Sequence, residues 1–201
     1  MGACAAACAV AMVCASGAAQ DDGGAFTEAE QRTLVGGELL RRDLSHREGD
    51  RQLYGGASWQ RVHAPIERVW EVATDPRSLT QLIPSLDEAR VVSQQDGARV
   101  IYMHHSYAIA ETSYYVRMEI DDAARSLRFR LDPSRPHDIR EGRGFLSLSS
   151  YRGDTIVAWG MLVDPGAGVV TQLFGPMLNE WLLLPPRCMR DAVEPGRGPT
   201  C

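Results

Sequence analysis

The sequence lacks the short motifs by which catalysis most readily declares itself. Nowhere in its 201 residues is there a G-x-S-x-G nucleophile elbow, an H-E-x-x-H helix or a glycine loop long enough to cradle phosphate. Gly142-Arg143-Gly144 is too short for that last role, and Ser147, Ser149 and Ser150 sit without a nearby base in the sequence. The five cysteines and five histidines never fall at metal-ligand spacing, so neither a metal nor another cofactor is expected. A basic stripe is missing too. Lys plus Arg total 21 against 26 Asp plus Glu, a balance that sets nucleic acid aside as a partner. With 44% hydrophobic and 23% charged residues, the composition is that of an ordinary globular domain, long enough for one full core and short for two.

Charge is also absent from the first 19 residues, which are dominated by Ala, Cys, Val and Met and end abruptly at Gln20-Asp21-Asp22. Gly17 and Ala19 are the small residues a signal peptidase needs if it cuts before Gln20. Residues 1–19 are therefore read as a signal peptide, and the mature protein as periplasmic or secreted. The missing Lys or Arg ahead of the apolar run keeps three alternatives open: a cytoplasmic protein, a membrane anchor and a disordered leader. Cys4, Cys8 and Cys14 would leave with the leader. Cys188 and Cys201 then remain, and a disulfide between them stands level with two free thiols.

Residues 20–53 read as a linker and a surface helix. Thr27 and Glu30 fit a capping box, and Leu34, Leu39, Leu40 and Leu44 recur at helix-like spacing, with Gly36-Gly37 marking where a break would fall. The main domain is expected over 54–195, with 196–201 as a flexible tail. It opens on a strand from Tyr54 to His63. Pro65 then starts a short helix with Ile66, Val69, Trp70 and Ala73 on one face, and a second turn of helix over 78–82 is stopped by Pro84.

A run of strands follows. Segments 87–94 and 99–109 flank Asp96-Gly97, a hairpin signal. A two-residue turn sets Val91 opposite Tyr102 and Ala89 opposite His104, which places Ala89, Val91, Val100, Tyr102 and His104 on one face. Segments 112–120 and 126–131 pair Ile120 with Leu127, Met118 with Phe129 and Val116 with Leu131, turning Arg117, Glu119, Arg128 and Arg130 to water. Segments 144–151 and 155–163 pair Leu148 with Val157 and Leu146 with Trp159. A last helix begins near Val169, with Val170, Phe174, Met177 and Trp181 along one face. Proline is excluded from helix interiors at a cost of about 3 kcal/mol, so Pro185-Pro186 should end this helix near Leu183 before a short restart through Met189 to Val193.

This order comes with local phrases: Ala64-Pro65-Ile66-Glu67-Arg68-Val69-Trp70, then Asp75-Pro76, then Leu82-Ile83-Pro84, and later Gly144-Phe145-Leu146-Ser147-Leu148 followed by Asp154-Thr155-Ile156-Val157. Over residues 55–195 the chain resembles the START-like superfamily, also called SRPBCC, and especially its polyketide cyclase/dehydrase-like and coenzyme-Q-binding branches. The resemblance implies an α+β helix-grip fold, a curved antiparallel sheet wrapped around a long C-terminal helix with two short helices after the first strand. It also implies an elongated apolar pocket, entered past residues 80–86 and 132–140.

The candidate ligand-binding residues of that pocket are Tyr102, His104, Tyr114, Met118, Phe129, Leu146, Trp159, Met177 and Trp181. Tyr102, His104, Tyr114 and Trp159 are preferred among them, because each has a polar tip that needs a partner when buried. His104 and His105 point to opposite faces of one strand and cannot share a metal. No residue is assigned as catalytic. The expected function is binding or transport of a hydrophobic small molecule: a lipid, sterol, quinone or polyketide. The alternative is an aromatase/cyclase or dehydratase in which His104 and Tyr102 or Tyr114 move protons. The hydrophobic ligand is the expected partner, with transient membrane contact as a further one.

Overall fold

Alternation of apolar and charged residues organises the centre of the sheet. The computed structural model describes residues 26–95, 97–107, 110–166, 177–194 and 196. The expected leader, residues 169–176 of the expected last helix, and Cys201 lie outside them. Strands β5 (Ala110–Asp121) and β6 (Ser126–Leu131) pair Val116 with Leu131, Met118 with Phe129 and Ile120 with Leu127. Strands β7 (Glu141–Tyr151) and β8 (Asp154–Asp164) pair Leu148 with Val157 and Leu146 with Trp159. Both registers are those the hydrophobic pattern dictates, since a slip of one residue would turn every apolar side chain to water. Arg117, Glu119, Arg128 and Arg130 are exposed.

The remaining strands are β1 (Leu40–Glu48), β2 (Arg51–Val62), β3 (Leu86–Gln95) and β4 (Ala98–Tyr107). All eight form one antiparallel sheet in the order β1-β2-β8-β7-β6-β5-β4-β3. The sheet thus begins at Leu40 rather than at Tyr54. The expected helix over 27–44 is corrected to α1, Glu28–Val35. Its start is as expected: the Thr27 amide donates to Glu30 Oε2 at 2.8 Å, and the Glu30 amide donates to Thr27 Oγ1 at 3.2 Å. Its end is set by Gly36 and by Gly37 at φ +80°, the left-handed turn that glycine makes cheaply. Beyond it, Leu40 is buried while Leu44 is 46% exposed. Their four-residue spacing is that of a strand whose backbone hydrogen bonds to β2, not of a helical face. Arg42, on β1, pairs with Glu30 at 2.9 Å and holds that carboxyl down at about 2, which ties helix to strand.

Two short helices cross one end of the sheet: α2 (Ile66–Thr74), and α3 (Leu79–Leu82) after a 3-10 turn at Pro76–Ser78. Val69, Trp70, Ala73, Leu79 and Leu82 are buried in the same core as Ile101, Val116 and Leu146. Trp70 Nε1 donates to Asp122 Oδ1 at 2.8 Å, anchoring α2 to the β5–β6 turn. On the opposite face, α1 covers a smaller cluster of Leu34, Leu40, Ala57, Trp59 and Ile156, so β2 is buried on both faces in its middle.

At the C-terminus, α4 (177–182) is followed at once by α5, Pro185–Val193. The two prolines occupy the first positions of α5, where a missing N–H costs nothing. They leave the carbonyls of Trp181 and Leu182 without their helical donors. The Leu184 amide takes the first at 3.3 Å, and Trp159 Nε1 takes the second at 2.8 Å. Helix α5 packs on β2, α2 and α3 with Cys188 and Met189 buried, and Cys188 is disulfide-bonded. Among the described residues no helix is long and apolar enough to cross a membrane.

Candidate ligand-binding cavity

Between the inner face of the sheet and the helices α3, α4 and α5 lies a cavity of about 190 Å³. Strands β4 to β8 supply its floor, Leu82 to Ser85 one rim, Ile139 and Gly142 another, and Leu178, Trp181 and Leu182 its cover. The rims are held by polar contacts outside the cavity. Asp138 accepts from the Ser113 amide at 2.8 Å and from its hydroxyl at 2.9 Å, which docks the 132–140 loop on β5. The Gly55 amide donates to Asn179 Oδ1 at 2.8 Å, seating α4 over the sheet.

Six of the residues expected from sequence line this space: Tyr114, Met118, Phe129, Leu146, Trp159 and Trp181. Phe129 and Trp159 stack with ring centroids 4.9 Å apart and form a flat aromatic wall. Met177, a residue of α4, does not line the cavity and is 41% exposed.

The face of β4 is the main correction. Tyr102 and His104 point away from the cavity. Tyr102 packs against Tyr115 at 5.2 Å, with Arg90 5.1 Å over its ring. The inward residues are Ile101, Met103 and His105, opposite Val116, Tyr114 and Thr112 of β5. The register expected from a two-residue turn holds as far as Ser93 opposite Val100, where a bulge shifts it so that Val91 meets Ile101. Val100, Ile101, Tyr102 and Met103 are all apolar or aromatic, so β4 carries no alternation of its own. Its face is decided by β5, where Tyr114, Val116 and Met118 alternate with Tyr115 and Arg117. Counting back from Tyr114 across the β4–β5 hairpin would have pointed to Met103 and His105.

His105 and Tyr114 form the polar end of the cavity. His105 Nε2 lies 2.8 Å from the Tyr114 hydroxyl, and the two rings stack 5.5 Å apart at 18°. Burial pushes the imidazole down to about 4 against the pull of Asp87, and neighbouring His104 pushes the same way as burial. Burial also pushes the Tyr114 phenol well above its ordinary range. Both groups are therefore neutral at pH 7. No Lys, Arg, Asp or Glu is found among the described residues of the lining.

Trp159 is both wall and anchor, because its indole serves the Leu182 carbonyl orphaned by Pro186. Trp159→Phe keeps most of the apolar surface and removes the donor. It is expected to lower stability by about 1.5 kcal/mol, measurable by urea denaturation, because a buried acceptor is left unpaired. A variant as stable as wild type would show that the carbonyl finds another donor.

A family described as polyketide cyclase / dehydrase and lipid transport matches residues 58–183. No curated protein matches the chain. Among solved structures, the chain is similar to a STAR-related lipid transfer protein (fragment 25–204) from Xanthomonas axonopodis, at 14% identity and a TM-score of 0.60, over 75% of this chain and 98% of that one. It is also similar to the protein TTHA0849 from Thermus thermophilus, at 16% identity and a TM-score of 0.59, over 68% and 94%. A third likeness is to the di-domain ARO/CYC BexL from the BE-7585A biosynthetic pathway, at 11% identity and a TM-score of 0.55, over 71% and 50%. At these identities the structures show a shared fold.

Proposed function

We propose that this chain, which belongs to the polyketide cyclase/dehydrase and lipid transport family, binds and carries a hydrophobic small molecule in the cavity beneath α4. The observation that carries this reading is the lining: a space between sheet and helix whose walls are apolar and aromatic, with a few polar tips at one end. Apolar and aromatic walls such as Phe129, Trp159 and Trp181 suit an apolar occupant, because binding one removes their surface from water. Export, expected from the uncharged first residues, would favour a carrier, since an exported chain has little access to acyl-carrier chemistry.

Native mass spectrometry of the purified protein, before and after solvent extraction, tests the proposal. The expected result is a bound apolar compound, or uptake of one equivalent from a panel of fatty alcohols, sterols, quinones and aromatic polyketide mimics. A protein that arrives empty and takes up nothing from the panel overturns it.

The second reading, an aromatase/cyclase or dehydratase, is favoured by one observation. A neutral imidazole held against a tyrosine hydroxyl is a base poised at the end of an apolar pocket. His105 here takes the part expected of His104. Turnover of a poly-β-keto or hydroxylated substrate mimic that is unchanged in His105→Ala removes this reading.

A further inference from the structure

The hydrogen-bonding side chains of the cavity are gathered at one end. Leu86 of β3 lies opposite His105, and His105 opposite Thr112. That register brings Ser85, His105 and Thr112 of the lining to the same end of the sheet, with the Tyr114 hydroxyl 2.8 Å from His105. A hydroxyl rotates to donate or accept, and an uncharged imidazole offers one N–H and one acceptor nitrogen, so the set can serve a hydroxyl, a carbonyl or an amide. Elsewhere the indole N–H of Trp159 is already given to the Leu182 carbonyl, and the walls run on through Met118, Leu127, Phe129 and Leu146.

Charge is missing from that end and from the rest of the lining. No Asp, Glu, Lys or Arg is found among the described residues that line the cavity, and residues 167–176, between β8 and α4 in the chain, contain none either. The charged and titratable neighbours of the polar end stand just outside it. Asp87 and His104 act on His105 from β3 and β4, and Asp138 is bonded to Ser113, next to Thr112. Two of these three are carboxylates, which oppose an anion. An ammonium group entering the lining would give up its hydration and meet only neutral dipoles, and an ionised carboxylate or phosphate would bear the same loss without a counter-charge. A neutral polar group gives up far less and finds partners there. The volume of about 190 Å³ falls below that of the usual small-molecule pocket, roughly 300–1,000 Å³, so probes of one or two rings suit it.

We infer that the cavity takes up its ligand in an uncharged form only, with a neutral polar group against Ser85, His105, Thr112 and Tyr114 and an apolar body along Phe129 and Trp159. This rests on the ligand-binding reading above and names the class of ligand.

Four probes on one ring system test it by calorimetry or fluorescence: naphthalene, 2-naphthamide, 2-naphthoate and 2-naphthylmethylammonium. The amide both donates and accepts, so it fits whichever ring nitrogen of His105 carries the proton. At pH 7 it is expected to bind within about tenfold of naphthalene, and the two ions to bind weaker than the amide by about tenfold or more. A carboxylic acid with a pKa of about 4.3 gains about tenfold in its neutral fraction for each unit of acidification above that value. The apparent affinity of 2-naphthoate should therefore rise about a hundredfold from pH 7.5 to pH 5.5, while that of 2-naphthamide reports any titration of the protein itself, His104 and His105 included. Thr112→Lys sets a cation at the polar end and should bring 2-naphthoate up to or past 2-naphthamide, whereas the uncharged Thr112→Gln should keep the wild-type order; unchanged naphthalene binding shows the cavity to be intact. A folded Thr112→Lys that binds naphthalene yet keeps the wild-type order overturns the placement of the polar group and the inference with it. If Thr112→Lys does not fold, the wild-type pH profile decides alone. A flat 2-naphthoate profile, ions that bind as tightly as the amide, or an amide excluded along with the ions overturns this inference and leaves the cavity reading standing. Binding of none of the four overturns both.

Discussion

Between pH 7 and pH 4 the folded protein is expected to lose about 3 kcal/mol of stability through His105 alone. In the unfolded chain the imidazole titrates near 6.5, whereas in the fold it is held down to about 4. From 6.5 downward the unfolded state binds a proton that the folded state refuses, so stability rises with pH across that window and falls on acidification. A depression of about 2.5 pKa units at 1.36 kcal/mol each gives the magnitude. The causes are, first, burial beside Tyr114 and, second, the neighbouring charge of His104, opposed by Asp87 and by the carbonyls of Pro84 and Ser85.

The carboxylates that gain partners in the fold, Glu30, Asp75, Asp87, Asp132 and Asp154, have pKa values below their ordinary ones. Their stabilisation is present above the ordinary carboxylate range and is lost only as pH falls below it. The window from 6.5 to about 4 therefore belongs to His105. Urea denaturation at half-unit pH steps should show a steep decline for wild type and a nearly flat line for His105→Leu until about pH 4.5. Parallel curves would place the imidazole in contact with water and remove the basis for a neutral cavity.

That His105 rather than His104 occupies this position shows where sequence reasoning reached and where it stopped. The β5–β6 register was legible because Arg117, Glu119, Arg128 and Arg130 alternate with Val116, Met118, Leu127 and Phe129, and the β7–β8 register because it gathers Leu146, Leu148, Val157 and Trp159 on one face. The two short helices and the stop before Pro185 were legible for a similar reason: proline forbids local alternatives rather than merely disfavouring them.

Strand β4 offered no such contrast, since four consecutive residues from Val100 to Met103 suit either face. A bulge between Val91 and Ser93 leaves no mark in a hairpin read from its turn alone. Strand β1 failed differently. Its leucine spacing satisfies a helix locally, and what overrides it is the open edge of β2, a partner that sequence periodicity does not display. Of the cavity, the aromatic wall was legible as large side chains on inward positions. The orphaned Leu182 carbonyl, and the indole that serves it, became visible only once Trp159 and α4 were brought together.

The Gly55-Gly56 pair reads in sequence as the entry to a strand, yet it lies within β2, paired on both sides. Gly55 has φ +138°, and a Cβ there would lie 1.9 Å from the Met161 carbonyl oxygen and 2.8 Å from its carbon. Both are backbone atoms of the neighbouring strand, which cannot rotate away as a side chain would. Gly55→Ala therefore combines a disallowed backbone conformation, about 1–3 kcal/mol, with overpacking of central β-sheet, about 1–3 kcal/mol more. The expected loss is about 4 kcal/mol, large enough to leave a domain of ordinary stability partly unfolded at 37 °C. Gly49 supplies the control. It also has a positive φ, +64°, but a Cβ there meets nothing within 4 Å, so Gly49→Ala should cost only about 1 kcal/mol. The difference between the two variants in urea midpoint isolates the close approach of β2 to β8. That approach matters to the cavity, because the amide of Gly55 is the donor that Asn179 uses to seat α4. At a temperature where Gly55→Ala remains folded, its affinity for an apolar probe should fall as well, whereas that of Gly49→Ala should not. Equal midpoints for the two variants would mean that β2 can shift to admit a methyl group, and that the helix over the cavity is held by something other than this close contact of strands.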